Sequence, residues 1–250
     1  MKIAVISDIH GNLQALEAVL ENIKKENCDK IFCLGDLAMA GPQPNETIEK
    51  IKILLKEENF ELIQGNTDEY LSKNSDEMYQ TIKKVNPIMA EAYNADRNII
   101  TKENLEFLKN LPAQKSIEIN GVKILLVHGS PRANNENIFP EMPLEKIEEM
   151  LVGVDADLIF CGHTHQPCGY QTNTKQTVIN VGSVGRPLNE EPKACYLLLE
   201  IIKDTNEFYV EHKLIRYDKE KAANILKERN FDGADKLAAM LISASERYPS

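Results

Sequence analysis

The hydrophobic pattern of residues 2–66 alternates between short apolar runs and a period near 3.6. Residues 2–7 are an apolar run that predicts a buried strand, and after the turn Asp8-Ile9-His10-Gly11-Asn12 the positions Leu13, Leu16, Val19, Leu20 and Ile23 fall on one helical face. The unit recurs as strand Lys30–Leu34, loop Gly35-Asp36, a helix after Pro44 with Ile48, Ile51, Leu54 and Leu55 inward, then strand Glu61–Gln64 and loop Gly65-Asn66. Such β-α alternation predicts a largely parallel sheet carrying helices.

From Asp68 to about Leu111 the strand signal stops, and an Ala-, Glu-, Asn- and Lys-rich stretch broken at Pro87 predicts a helical insertion, a cap over the sheet. The β pattern resumes as a hairpin, Ser116–Ile119 and Val122–Val127 about Asn120-Gly121, ending at His128-Gly129, with a second hairpin expected after it. A helix around Leu144–Leu151 precedes strand Asp157–Cys161, the loop Gly162-His163-Thr164-His165, and strands near Gly169–Gln171, Thr177–Asn180, Cys195–Ile201 and Phe208–Tyr217. Clustered late strands predict a second sheet packed on the first. Residues 218–250 return to helix, with Ala222, Ile225, Leu226, Leu237, Met240 and Leu241 as its apolar positions and a break at Gly233. We divide the chain into a domain over 1–217, with a cap at about 68–111, and a helical extension over 218–250 packed on it.

Composition narrows the class. The 250 residues are 42% hydrophobic and 27% charged, enough for one large soluble domain. The N-terminal apolar run meets Asp8 too early for a signal peptide and no later run approaches a membrane span, so a cytoplasmic location is expected. Five cysteines without a CxxC pair argue against a disulfide framework or a zinc ribbon and read as inert thiols. A net charge of −10 disfavours long nucleic acid and anionic membranes as partners, and leaves a small phosphorylated ligand open if bound cations supply positive charge.

Those cations have candidate ligands. Asp8 and His10 follow the first strand, Asp36 the second, Asn66 the third, His128 the hairpin, and His163 with His165 the next strand, where an open α/β sheet binds its ligands. Taken singly, Asp8-x-His10 reads as a turn with a helix cap, the Gly-Asp and Gly-Asn pairs as loop punctuation by left-handed glycines, and His163-x-His165 as structural as readily as ligating. Together and in this order, with four of the five histidines included, they read as a metal site. His212, on a late strand away from every loop, reads as structural or exposed.

Asp8-Ile9-His10, Gly35-Asp36, Gly65-Asn66-Thr67-Asp68, His128-Gly129 and Gly162-His163-Thr164-His165 resemble the five signature blocks of the calcineurin-like metallophosphoesterases. The similarity spans roughly residues 1–217. It is closest to the small prokaryotic phosphodiesterase branch, which also carries a segment like Asn180-Val181-Gly182-Ser183-Val184-Gly185-Arg186-Pro187. The resemblance implies an α/β fold in which two mixed sheets form a sandwich flanked by helices, with two divalent metal ions. Asp8, His10 and His165 would hold one and Asn66, His128 and His163 the other, with Asp36 bridging. Asp36, Asn66 and His128 would also serve catalysis, and the implied nucleophile is a metal-bridging hydroxide. Mixed carboxylate, imidazole and amide ligands suit Mn²⁺ first, with Fe, Zn²⁺, Ni²⁺ or Co²⁺ as alternatives.

One block departs from the commonest family pattern, which has a leaving-group-assisting histidine where this chain has Thr67, as the small prokaryotic branch also commonly does. Threonine is no acid near neutral pH, so substrates with stable anionic leaving groups are expected: phosphodiesters or phosphoanhydrides of nucleotide type, such as dinucleoside polyphosphates. A phosphomonoesterase or protein phosphatase is the alternative, and a non-catalytic scaffold of the same fold a weaker one, since no block ligand is missing. Arg186 and Arg132 are candidate phosphate clamps, and Asn12 and Asn66 candidate substrate contacts, each with a bland reading as surface arginine or helix cap. Acids of the insertion such as Asp76, Glu77 and Glu91 read as a solvated face, with Lys83 and Lys84 to offset them if it lines the site.

Overall fold

Strand β1 (Lys2–Ile6) is almost wholly buried, which requires cover on both faces and a neighbour on each edge. The computed structural model describes residues 1–188, 191–203 and 207–243 and supplies all of these. Amphipathic α1 (Leu13–Lys25), capped by the Asn12 carboxamide, leads to β2 (Lys30–Cys33), α2 (Pro44–Leu54) and β3 (Phe60–Leu62). The insertion is α3 (Asn66–Lys73), α4 (Asp76–Val85), α5 (Pro87–Ile99) and α6 (Lys102–Lys109). Then come hairpin β4 (Lys115–Ile119) and β5 (Val122–Leu126), α7 (Leu144–Met150), β6 (Leu158–Cys161), β7 (Cys168–Gln171) and β8 (Thr177–Asn180). Strands β9 (Ala194–Ile201) and β10 (Phe208–Ile215) precede α8 (Lys219–Glu228) and α9 (Ala234–Ser243).

Among the described residues the strands form two mixed sheets, ordered β10-β9-β1-β2-β3 and β4-β5-β6-β8-β7. Strands β1, β2 and β3 run parallel, as do β5, β6 and β8, while β9, β10, β4 and β7 pair antiparallel. The sheets meet through Ile3, Val5, Phe32, Leu34, Leu197 and Leu199 of one and Ile124, Leu126, Leu158, Phe160 and Ile179 of the other. Helix α7 covers the outer face of the second sheet; α1, α2, the insertion and the tail cover the first. The C-terminal ends of the parallel strands open toward one rim, where the crevice of such a sheet lies.

Two expectations change. No second hairpin follows His128-Gly129: residues 129–143 are turns and extended loop, because Pro131, Pro140 and Pro143 remove ladder donors. Leu55 is the exposed cap of α2 rather than a core position. The tail helices pack against the domain. Their Ala222, Ala223, Leu226, Leu237, Ala238 and Leu241 lie in the same apolar cluster as α1 and the insertion. The last part of the predicted extension, residues 244–250, lies outside the described residues.

A buried ion pair joins those parts. Arg229, at the end of α8, pairs with Asp96 of α5 at 2.5 Å and donates to the Gly41 carbonyl at 2.6 Å. The other Asp96 oxygen accepts from the Ala40 N–H at 2.9 Å. Tail and insertion thus hold the loop after β2 from both sides.

Candidate metal centre

Six of the seven residues singled out as metal ligands stand on loops that leave C-terminal strand ends, Asn66 opens α3 after such a loop, and the fold brings them together. Five of them have left-handed backbones: φ is 54° at Asp8, 49° at His10, 54° at Asp36, 67° at His163 and 59° at His165. Residues with side chains adopt this region at a cost, so five in one site mark a backbone held by its surroundings for a purpose. The holding bonds are visible. His10 N–H donates to the Asp36 carbonyl at 2.8 Å, while Val184 and Gly185 N–H donate to the carbonyls of Ser7 and Asp8 at 3.0 and 2.9 Å.

Asp68 is the brace that the sequence pattern did not reveal. Its carboxylate accepts from the backbone N–H groups of Asp36 at 2.8 Å, Leu37 at 2.9 Å and Gly65 at 3.0 Å, tying the loop after β2 to the loop after β3. Two glycines of the motif are set by space. A Cβ at Gly65, where φ is −88°, would lie 2.1 Å from Asp36 Oδ1, and one at Gly162 would lie 2.4 Å from Asp8 Oδ2. Gly65 is thus required for close approach, not for the left-handed turn expected of it.

The histidine tautomers follow from their partners. The Nδ1 atoms of His10, His128 and His165 lie 3.0, 2.8 and 2.8 Å from the carbonyl oxygens of Met39, Leu34 and Arg186. A carbonyl only accepts, so each Nδ1 carries hydrogen and each neutral ring turns an Nε2 lone pair inward. The Nε2 atoms of His10 and His165 then face each other at 3.0 Å, with Asp8 Oδ1 3.2 Å from His165 Nε2. That oxygen is buried and has no hydrogen-bond donor. On the other side His128 Nε2 and His163 Nδ1 lie 3.0 and 2.8 Å from Asn66 Oδ1, and Asp36 Oδ2 is 3.4 Å from His128 Nε2. Converging lone pairs without donors repel unless a cation or proton sits among them, and these atoms are ligand types for a divalent cation. Asp8, His10 and His165 form one group with metal-ligand spacing, and Asp8, Asp36 and His128 another. The residues fit a metal.

In the metal-free state a proton partly takes its place. Burial opposes charge on His128, but Asp36 and Asp8 outweigh it and push the imidazole up to about 10. Burial raises both carboxylates, yet the imidazoles win: Asp8, beside His165 and His128, is held well below the usual range, and Asp36, beside His128, at about 2. Burial pushes His10 down to about 3 against the pull of Asp36, and His163 down to about 4 with the help of the His128 charge. For His10 and His163 the unfolded chain binds more protons from about pH 3 to 6.5, which outweighs the opposite effect of the Asp68 carboxyl, pushed up to about 7 by burial and by Asp36, so stability rises with pH there; for His128 the folded chain binds more from 6.5 to about 10, so stability falls. Urea unfolding in EDTA across pH 4–10 should therefore show a stability maximum near pH 6.5 in the metal-free protein. Mn²⁺ should flatten the alkaline limb by replacing the His128 proton. A metal-free stability that climbs steadily from pH 7 to 10 would contradict the assignment of His128.

The other candidates divide. Asn12 caps α1 with its Oδ1 and donates through Nδ2 to the Gly185 carbonyl at 2.9 Å, so its amide orders the glycine-bearing loop. Arg186 is buried with Nη1 3.4 Å from Met89 Sδ, and its carbonyl orients His165. Arg132 gives its guanidinium to Glu136 in a two-point pair, so it would have to leave that partner to clamp a phosphate. Thr67 donates its hydroxyl to the Ala38 carbonyl. His212 bonds the Asn180 carbonyl at 2.8 Å, a structural contact. The five cysteines are free, and burial pushes thiols such as Cys28 and Cys168 up to about 11. Among the described residues no helix is long and apolar enough to cross a membrane.

The family model for the calcineurin-like phosphoesterase superfamily domain matches residues 1–204. The chain belongs to that superfamily. As a calcineurin-like phosphoesterase it is a metal-dependent phosphoric ester hydrolase. A protein of Methanocaldococcus jannaschii is 36% identical over 245 residues, covering 91% of this phosphoesterase and 93% of its relative. Among solved structures, a metallophosphoesterase from Sphaerobacter thermophilus matches at 25% identity and a TM-score of 0.76, over 98% of this chain and 100% of the other. A Pyrococcus horikoshii OT3 protein matches at 26% identity and a TM-score of 0.84, over 98% and 99%. The two mixed sheets with flanking helices are the metallophosphoesterase fold, as expected from sequence.

Proposed function

We propose that this phosphoesterase hydrolyses phosphodiester or phosphoanhydride bonds of nucleotide-type substrates with two divalent cations, Mn²⁺ foremost. The observation that carries the reading is the pair of adjoining lone-pair nests. Asp8, His10 and His165 would hold one cation and Asn66, His128 and His163 the other. Asp36 suits a bridge, since Oδ1 is fixed by the Thr67 N–H at 2.8 Å while Oδ2 lies 3.6 Å from His10 Nε2 and 3.4 Å from His128 Nε2. The chemistry such cations supply is Lewis acidity, which lowers the pKa of water and neutralises phosphoryl charge. The protein's own part is orientation: three carbonyls aim the imidazoles, Asp68 fixes the carboxylate loop, and burial keeps bulk water from the ligand atoms.

Thr67 narrows the substrate. With its hydroxyl engaged by Ala38, residue 67 offers no proton to a leaving group, which favours leaving groups already stable as anions. The protein, stripped and reloaded with Mn²⁺, should turn over bis(p-nitrophenyl) phosphate and diadenosine tetraphosphate, and glycerol 2-phosphate about 10²-fold more slowly or worse. A phosphoserine peptide or alkyl monoester outrunning the diesters would replace this reading with the monoesterase one. We place the enzyme in the cytoplasm, where five free thiols are stable.

A further inference from the structure

Beside the metal nest lies a cavity of about 630 Å³ that the ligand assignment does not use. His163 and His165 form its floor on the metal side, and Val85, Phe139 and Leu188 supply apolar walls. Val85, at the end of α4, is 86% exposed and Phe139 41%, and the two line the same cavity beside a polar site. Neither is loosely held. Asn86 caps α5 through its Oδ1, fixing the α4–α5 corner. The loop bearing Phe139 is pinned by Tyr170, whose hydroxyl donates to the Phe139 carbonyl, and by Thr164 and Asn180, which both donate to the Ile138 carbonyl.

The polar part of the lining is equally selective. Asn137 and Gln166 make no side-chain hydrogen bond to protein among the described residues, and Asn86 leaves its Nδ2 unused. No Lys, Arg, Asp or Glu lines the cavity among the described residues. Apolar walls with free carboxamides and no charged side chain among the described residues suit a neutral planar group with donors and acceptors on its edge. They do not suit a phosphate chain or a charged peptide. We propose that this cavity is a base-binding subsite, in which Val85 and Phe139 contact the faces of a substrate nucleobase and Asn86, Asn137 and Gln166 meet its edge while the phosphodiester lies over the metal nest. The assignment rests on the phosphodiesterase reading above and makes the insertion a source of specificity.

The test compares p-nitrophenyl esters of methyl phosphate, phenyl phosphate and thymidine 5′-phosphate on the Mn²⁺-loaded full chain, since all three share one leaving group. Base stacking on an aromatic side chain is worth a factor of about 10–100, so kcat/KM for the thymidine ester should exceed that for the methyl ester by about that factor, with the phenyl ester between. Phe139→Ala, and separately Val85→Ser, should bring the thymidine-to-methyl ratio toward one, and Asn137→Ala should reduce thymidine over phenyl. Equal rates for the three esters, or a ratio that survives both wall variants, overturn the subsite; a phenyl ester as good as the thymidine ester overturns the base assignment. If no ester is turned over, the phosphodiesterase reading fails by itself. Equilibrium binding of adenosine 5′-monophosphate against ribose 5-phosphate then decides the subsite: about tenfold tighter binding of the nucleotide, lost in Phe139→Ala, supports it, and equal affinity removes it.

Discussion

Asp36→Asn is expected to lower kcat/KM for bis(p-nitrophenyl) phosphate by about 10³-fold or more while circular dichroism stays that of the wild type. The substitution is isosteric. Its oxygen can still accept from the Thr67 N–H, so the loop after β2 keeps its shape. What changes is the atom facing the imidazoles: an amide –NH₂ replaces the Oδ2 that lies 3.4 Å from His128 Nε2 and 3.6 Å from His10 Nε2. A donor replaces a lone pair between the two nests, and one negative charge is lost from their shared wall. Bound Mn²⁺, measured on gel-filtered protein, should fall in step with activity. Full metal content with wild-type turnover would show that Asp36 bridges nothing.

Arg229→Ala is expected to destabilise the fold by about 3–5 kcal/mol, because it strands the fully buried Asp96 carboxylate without its partner. The effect should reach the metal. Asp96 and Arg229 hold Ala40 N–H and Gly41 C=O, next to the Met39 carbonyl that orients His10. Loss of such an outer partner typically costs about 10–100-fold in metal affinity, and Mn²⁺ titration of the folded variant would read it. The double replacement Asp96→Leu with Arg229→Leu should recover stability in part, since no buried charge is left alone. Metal affinity should stay low, because the Ala40 and Gly41 groups still lack partners. Unchanged melting and unchanged Mn²⁺ affinity in Arg229→Ala would mean that the tail tether is passive.

The sheets and the seven candidate ligands were legible because each leaves a local mark. Apolar runs spell β1, β2 and β6, and Asp8, Asp36 and the histidines stand where those runs stop. What was not legible depends on partners far along the chain. Asp68 looks like an ordinary first-turn acid of a helix, and its bonds to Asp36 and Leu37 span 32 and 31 residues. Asp96 and Arg229 sit in polar stretches that read as solvated helix faces; only the packing of α8 against the insertion makes them a buried pair. Arg132 followed a glycine- and proline-bearing loop as a phosphate clamp would, and nothing local announces that Glu136, four residues further on, pairs with it. Gly65 pairs with Asn66 in the manner of a turn, whereas the constraint on it is the carboxylate 2.1 Å from where its Cβ would be.

The strand order has a consequence for how the enzyme comes into being. β1 leaves the ribosome before its sheet neighbours, yet it lies between β2 and β9, and the carbonyls of Ser7 and Asp8 wait for the N–H groups of Val184 and Gly185. A nascent chain therefore carries an open strand edge and an unsupported metal loop until residues 184–201 have been made, and the Arg229 clasp comes later still. Such long-range closure is slow and leaves edges exposed meanwhile. On the proposed ligand set, metal loading would wait for residue 165: a ribosome-bound chain that stops before residue 163 has Asp8, His10 and Asp36 but neither His163 nor His165, and would not be a prematurely active hydrolase.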